Sequence, residues 1–69
     1  MKIDNSEHLG QLIRQVRKAQ KLTQVELAGV AGVGERFISE LEHGKSTAAL
    51  GKALHVCSIL GIQLVGQAP

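Results

Sequence analysis

The chain contains one aromatic residue, Phe37, and neither tryptophan nor tyrosine. RNA-recognition sheets and single-strand binders stack bases on several aromatic rings, so this scarcity argues against both. A single cysteine, Cys57, excludes an intrachain disulfide, and no Cys/His group has zinc-ligand spacing. No apolar run approaches the ~18 residues that cross a bilayer, and the N-terminus has no signal-peptide core. Glycine-rich phosphate loops, paired active-site carboxylates and nucleophile–base sets are missing as well. The expectation is therefore a soluble cytoplasmic protein that is not an enzyme, holds no metal or cofactor and does not bind membranes.

What is present amounts to one small domain of 69 residues. A chain of this size buries only about 60% of the surface that its unfolded form exposes. Its stability must rest on tight helix packing, on self-association, or on both. The net charge of +2 says little, but its distribution says more. Four of the eight basic residues (Arg14, Arg17, Lys18, Lys21) fall within eight positions, and four of the six acids lie between Glu26 and Glu42.

After a polar tail (1–5), Leu9, Leu12, Ile13 and Val16 follow the i, i+3, i+4, i+7 spacing of one buried stripe, which predicts a helix from Ser6 to about Gln20. Glu7 near its start and Lys18 and Lys21 near its end suit the helix dipole. Thr23-Gln24-Val25-Glu26 reads as a capping box that opens a second helix, with Leu27, Ala28 and Ala31 on its inner face and Gly32 as its stop. A third helix follows Val33-Gly34 and turns Phe37, Ile38 and Leu41 inward, with Gly44 as a left-handed cap. Ser46 or Thr47 is expected to cap a fourth helix, in which Leu50, Ala53, Leu54, Cys57 and Leu60 keep helical period and Cys57 belongs to the core. Gly61 ends it. Residues 62–65 alternate as a short strand, and 66–69 form a tail.

Two short helices joined by a tight glycine-containing turn make the unit that places a helix in the major groove of DNA. Between Gln24 and His43 the small and apolar residues fall where that geometry needs them. Ala28 leaves room for the crossing helix, and Gly32 takes the positive φ of a sharp turn. Leu22-Thr23-Gln24-x-Glu26-Leu27-Ala28, Ala31-Gly32-Val33 and Ile38-Ser39-x-Leu41-Glu42-x-Gly44-Lys45 together resemble the Xre/Cro-type helix-turn-helix of phage and bacterial repressors. The resemblance covers roughly residues 8–61. It implies an all-α fold: a compact four-helix repressor-like domain (6–61) with a short C-terminal β-strand (62–65). A domain of this type followed directly by a short apolar strand is also similar to the HipB-like antitoxins. That likeness implies a dimer held by strand pairing, repression of its own operon and neutralisation of a HipA-type kinase toxin.

Base-edge readers are expected on the outward face at the start of the third helix: Glu35, Arg36, Ser39 and Glu40. Arginine grips guanine bidentately, and a carboxylate accepts from a cytosine amino group. The plain alternative for Arg36 is a surface ion pair with Glu40, and for both glutamates a solvated position. Gly34 offers no side chain to read with, so part of the specificity falls to DNA shape. The resemblance implies phosphate contacts by Gln24 beside a helix N-terminus, with Thr23 sharing the role. It adds Lys45, Ser46 and Thr47 from the following loop, with Gly34 and His43 nearby. It also implies an ion pair between Arg17 and Glu42 beneath the recognition helix, with Arg17 close to phosphate.

A four-residue strand cannot pair with itself. Ile62, Gln63, Leu64 and Val65 are therefore expected to pair across a two-fold axis, joined by Val56, Ile59 and Leu60 from the fourth helix. Such a homodimer would read a pseudo-palindromic double-stranded operator with half-sites ~34–36 Å apart. Two alternatives stay open: an autonomous regulator without a toxin, and a helix-turn-helix that binds protein and has little affinity for DNA.

Overall fold

The computed structural model describes residues 2–69 and consists of four helices: α1 (Ser6–Ala19), α2 (Gln24–Ala31), α3 (Glu35–Glu42) and α4 (Leu50–Ile59). α1 begins where its periodicity predicts, and its cap is Asn5, whose Oδ1 accepts from the His8 amide at 2.8 Å. α2 opens on the expected capping box. Thr23 Oγ1 accepts from the Glu26 amide at 3.0 Å, and the Thr23 amide donates to the Glu26 carboxylate at 2.9 Å. That second bond holds the Glu26 carboxyl below the ordinary carboxylate range.

α3 packs against both α1 and α2, and α4 closes the core from the α2 side. Ile13, Leu27, Ile38, Val56 and Cys57 are the largest fully buried side chains, with Ala28, Ala31, Leu41, Ala53 and Leu60 around them. Burial pushes the Cys57 thiol up, as expected of a core cysteine. One contact escaped the periodicity altogether. A Cβ on Gly10 would lie 2.8 Å from the Glu42 carbonyl oxygen and closer still to that of Leu41. Hydrogen at this position is what lets α1 approach the end of α3.

Three expectations need correction. Ser46 and Thr47 do not cap α4: they lie in a turn closed by the Ala48 amide on the Lys45 carbonyl, and Ala49 precedes the helix without a side-chain cap. Val56 and Leu60, assigned to a dimer surface, are instead 0% and 4% exposed in the core. Residues 62–65 form no strand within the single chain. The reason lies at the end of α4, where Gly61 takes φ +77° and the Ile62 amide donates back to Cys57 at 2.9 Å. Ile62 is thereby drawn half-buried onto the core, whereas Leu64 and Val65 stay exposed. No helix among the described residues is long and apolar enough to cross a membrane.

Candidate nucleic-acid interface

The turn between α2 and α3 is set by Gly32, left-handed at φ +70°, and by Gly34, which precedes α3 in extended conformation. Ile38, Leu41 and Glu42 of α3 are buried and Phe37 packs half-buried against the core, which leaves the opposite side of the helix offered outward. Glu35 and Arg36 are exposed, and Ser39 and Glu40 are half-buried on the same side. The Arg36 side chain is 91% exposed, with its Nε 3.7 Å from Glu40 Oε1.

Glu40 carries a second cation. Its Oε2 accepts from Lys45 Nζ at 2.7 Å, and its carbonyl accepts the Lys45 amide at 3.1 Å. The ammonium holds the Glu40 carboxyl below the ordinary range. The Lys45 amide bond and the neighbouring bond from Gly44 to Leu41 form the paired motif that ends a helix on a left-handed residue, here Gly44 at φ +82°. Ser6 fixes this corner from α1, its hydroxyl donating to the Gly44 carbonyl at 2.8 Å. Ser46 and Thr47 follow, both exposed. His43 is exposed too. Its Nδ1 donates to the Ser39 carbonyl at 2.7 Å, because a carbonyl only accepts, and Nε2 is the nitrogen left for a ligand.

Beneath α3, Arg17 and Glu42 meet as a bidentate pair, Nε to Oε2 at 2.6 Å and Nη2 to Oε1 at 2.9 Å. Arg17 Nη1 also donates to the Leu22 carbonyl at 2.8 Å, and the side chain is 9% exposed. The hydrogen bond to Glu42 raises the guanidinium pKa further, so the charge is permanent. With its three nitrogens engaged inside the fold, Arg17 has little surface left for phosphate. The geometry makes it an internal tie, a correction to the contact that the resemblance implied. Gln24 belongs to the same network, its Nε2 donating to Glu42 Oε1 at 3.2 Å. This chain of Arg17, Glu42 and Gln24 locks the start of α2 to the end of α3. It presents the α2 N-terminus, with the Thr23 hydroxyl beside it, on the side of the recognition helix. The hydroxyl accepts from Glu26 but keeps its own proton to donate.

The structure thus brings Thr23, Gln24, Gly34, Glu35, Arg36, Ser39, Glu40, His43, Lys45, Ser46 and Thr47 onto or beside the α2–α3 unit. Of the residues expected at a dimer contact, Ile59, Gln63, Leu64 and Val65 are exposed at the other end of the chain. Sequence reasoning missed Asn5, Ser6 and Gly10, which set how α1 meets the α3 corner; only Asn5 carried a signal, as a side chain that caps well. No group of three His, Cys, Asp or Glu among the described residues has the arrangement of a metal site.

Comparison with known proteins gives consistent results. The helix-turn-helix family profile matches residues 13–66. The chain is 53% identical over 68 residues to the uncharacterized HTH-type transcriptional regulator y4mF of Sinorhizobium fredii (strain NBRC 101917 / NGR234), a match that covers 99% of this chain and 90% of that one. It is 36% identical over 56 residues to the immunity repressor protein of Bacillus phage phi105, covering 81% of this chain and 39% of the phage protein. Among solved structures it is similar to a HipA-HipB-O2-O3 complex and a HipB-O4 20mer complex. Each likeness has a TM-score of 0.88 at 24% identity and covers 99% of this chain and 96% of the other. At that identity the likeness establishes the fold.

Proposed function

Since this chain belongs to the Xre-type helix-turn-helix family of DNA-binding transcriptional regulators, we propose that it is a dimeric, sequence-specific repressor of its own operon and the antitoxin of a HipA-type kinase toxin. The observation that carries the DNA half is the outward face of α3, held in place from below by the Arg17–Glu42–Gln24 network. In this reading α3 enters the major groove. Arg36 leaves its loose pair with Glu40 to grip a guanine, a contact worth about 1–3 kcal/mol of discrimination. Glu35, Ser39 and Glu40 read neighbouring base edges.

Phosphates are held by the α2 N-terminus at Gln24, by the Thr23 hydroxyl, by the Gly34 backbone and by His43, Lys45, Ser46 and Thr47. Their role is to set register, whereas the α3 side chains carry the sequence information.

The dimer is assembled by residues 63–65 pairing across a two-fold axis, with Ile59 alongside, since the Ile62 amide is already bonded to Cys57. Leu50, Leu54, Leu64 and Val65 are large apolar side chains left exposed at 41–79% of their surface, which supports a partner on this side. The toxin half is supported by the extent of the likeness to HipB, which runs over nearly the whole chain, including the C-terminal segment. The name of the phage relative favours a second reading, a repressor that acts without a toxin.

The test is binding of the purified protein to its own promoter fragment and to a scrambled fragment, across about 50–200 mM salt. Tighter binding to the promoter with two protomers per site is the expected result. Equal, weak binding to both would overturn the repressor reading in favour of a protein-binding module. Co-expression with an adjacent kinase-like reading frame tests the toxin half. Stable capture and inhibition of the kinase is expected, and failure of both leaves the autonomous regulator.

A further inference from the structure

The two Lys/Arg side chains between residues 34 and 47, Arg36 and Lys45, both lie on one carboxylate. We propose that Glu40 is the specificity filter of the DNA-reading face, holding Lys45 away from phosphate until a cytosine amino group in the major groove takes the place of Lys45 on the carboxylate. The inference rests on the repressor reading above. Arg36 and Glu40 lie one helical turn apart on the outward side of α3, so the carboxylate that ties up the cations is itself among the groups facing the base edges.

Lys45 is bound to Glu40 twice, through its amide to the Glu40 carbonyl at 3.1 Å and through Nζ to Oε2 at 2.7 Å. Breaking the side-chain bond leaves the backbone bond intact. Nζ then swings free from a fixed point beside the helix end, without refolding the corner.

The chemistry of the base edges makes this exchange selective. Guanine shows N7 and O6 acceptors, thymine shows O4, and adenine places an N7 acceptor beside its amino group. Cytosine alone shows a donor with no acceptor on the same base. Opposite the other three bases the carboxylate is repelled by lone pairs and by the phosphates, and it stays on Lys45. Opposite cytosine it transfers to the amino group, and Lys45 gains a phosphate. The wrong site therefore loses a base contact and a phosphate contact together.

The test compares wild type, Glu40→Gln, Lys45→Gln and the double variant on the promoter fragment and a scrambled duplex over a salt series. One freed phosphate contact corresponds to about five- to tenfold in affinity near 0.1 M salt and to a slope steeper by about one. Glu40→Gln is expected to gain that factor on the scrambled duplex and to lose preference for the promoter. Lys45→Gln is expected to weaken promoter binding by a similar factor while leaving scrambled binding nearly unchanged, and the double variant to lose the Glu40→Gln gain. A Glu40→Gln protein that binds scrambled DNA no more tightly than wild type, or a Lys45→Gln protein weakened equally on both, overturns the filter while wild-type preference for the promoter stands. Wild-type protein that binds neither duplex overturns the repressor reading and the filter with it.

Discussion

Arg17 and Glu42 allow stability to be separated from DNA contact in one experiment. Both side chains are nearly inaccessible, at 9% and 2% exposed, and they meet in a bidentate pair. Removing one partner strands a buried charge, which costs about 3–5 kcal/mol. A 69-residue domain has about 3.5–10 kcal/mol in all, at ~0.05–0.15 kcal/mol per residue. Arg17→Met or Glu42→Leu alone should therefore consume much of the stability, and with an m-value of about 1 kcal/mol/M the urea midpoint should fall by about 3 M or more. Replacing both with apolar residues of similar volume is expected to restore the stability to within about 1 kcal/mol of wild type, since buried pairs often only balance their desolvation. Urea titrations followed by circular dichroism give all four corners of the cycle. The restored double variant then answers the second question. If Arg17 is an internal tie, the salt dependence of DNA binding keeps its wild-type slope; if Arg17 reaches phosphate, the slope falls by about 0.9. Single variants costing under about 1 kcal/mol, or a double variant no more stable than the singles, would refute the energetic argument. A reduced slope would refute the structural one.

Three further outcomes follow from the backbone and the titrating groups. Gly10→Ala places a methyl against two backbone carbonyls at the end of α3, which cannot move aside as a flexible side chain does. It should cost about 1–3 kcal/mol or more by urea titration, and a neutral effect would show that α1 does not approach α3 this closely. Lys21 sits left-handed at φ +59° where α1 ends, a conformation costing a non-glycine residue about 1–2 kcal/mol. Less the larger unfolded-state entropy of glycine, Lys21→Gly should stabilise by about 0.5–1 kcal/mol and raise the melting temperature, and a lowered one would refute the assignment. Glu26 and Glu40 are both held below the ordinary carboxylate range in the folded chain. Their stabilising share is therefore complete above the unfolded glutamate pKa of about 4.3 and is lost as pH falls through the depressed folded values. The urea midpoint should drop as pH is lowered below that point, and Glu26→Gln should flatten part of the drop; an identical decline in the variant would remove Glu26 from the account.

The helices and most of the core were legible because period, caps and turn glycines agree on one answer. Leu9, Ile13 and Val16 mark the inner stripe of α1, Thr23 with Glu26 marks the start of α2, and Gly32 marks its stop. What failed to show in the sequence depends on distance between elements. Gly10 reads as a neutral helix residue until the α3 carbonyls arrive beside it. Ser46 and Thr47 have the right chemistry for a cap, but the turn to Ala48 removes them from the helix axis. Of the candidate site, α3 and the loop after it were legible as a face, since an outward residue is one that the inner stripe leaves over. The bonds among those residues were not, because Glu40 is spaced to reach Arg36 by helical period and reaches Lys45 only through the left-handed bend at Gly44.

The C-terminal segment shows how far a single chain can express its own pattern. The alternation of Ile62, Gln63, Leu64 and Val65 predicts a strand, yet backbone donors in a strand need acceptors on a neighbour, and no other strand exists among the described residues to provide them. Ile62 settles the conflict locally: its amide is satisfied by Cys57, its side chain goes to the core, and the alternation can only begin after it. Any pairing in a dimer is then confined to residues beyond Ile62, with Leu64 and Val65 on opposite faces of a very short ladder. Two or three residue pairs make a weak interface by themselves. The exposed Leu50, Leu54 and Ile59 of α4 must contribute apolar area for such a dimer to persist at the concentrations of a regulator. Polar replacement of Leu54 should therefore weaken self-association more than replacement of Gln63, which sedimentation of the two variants would decide.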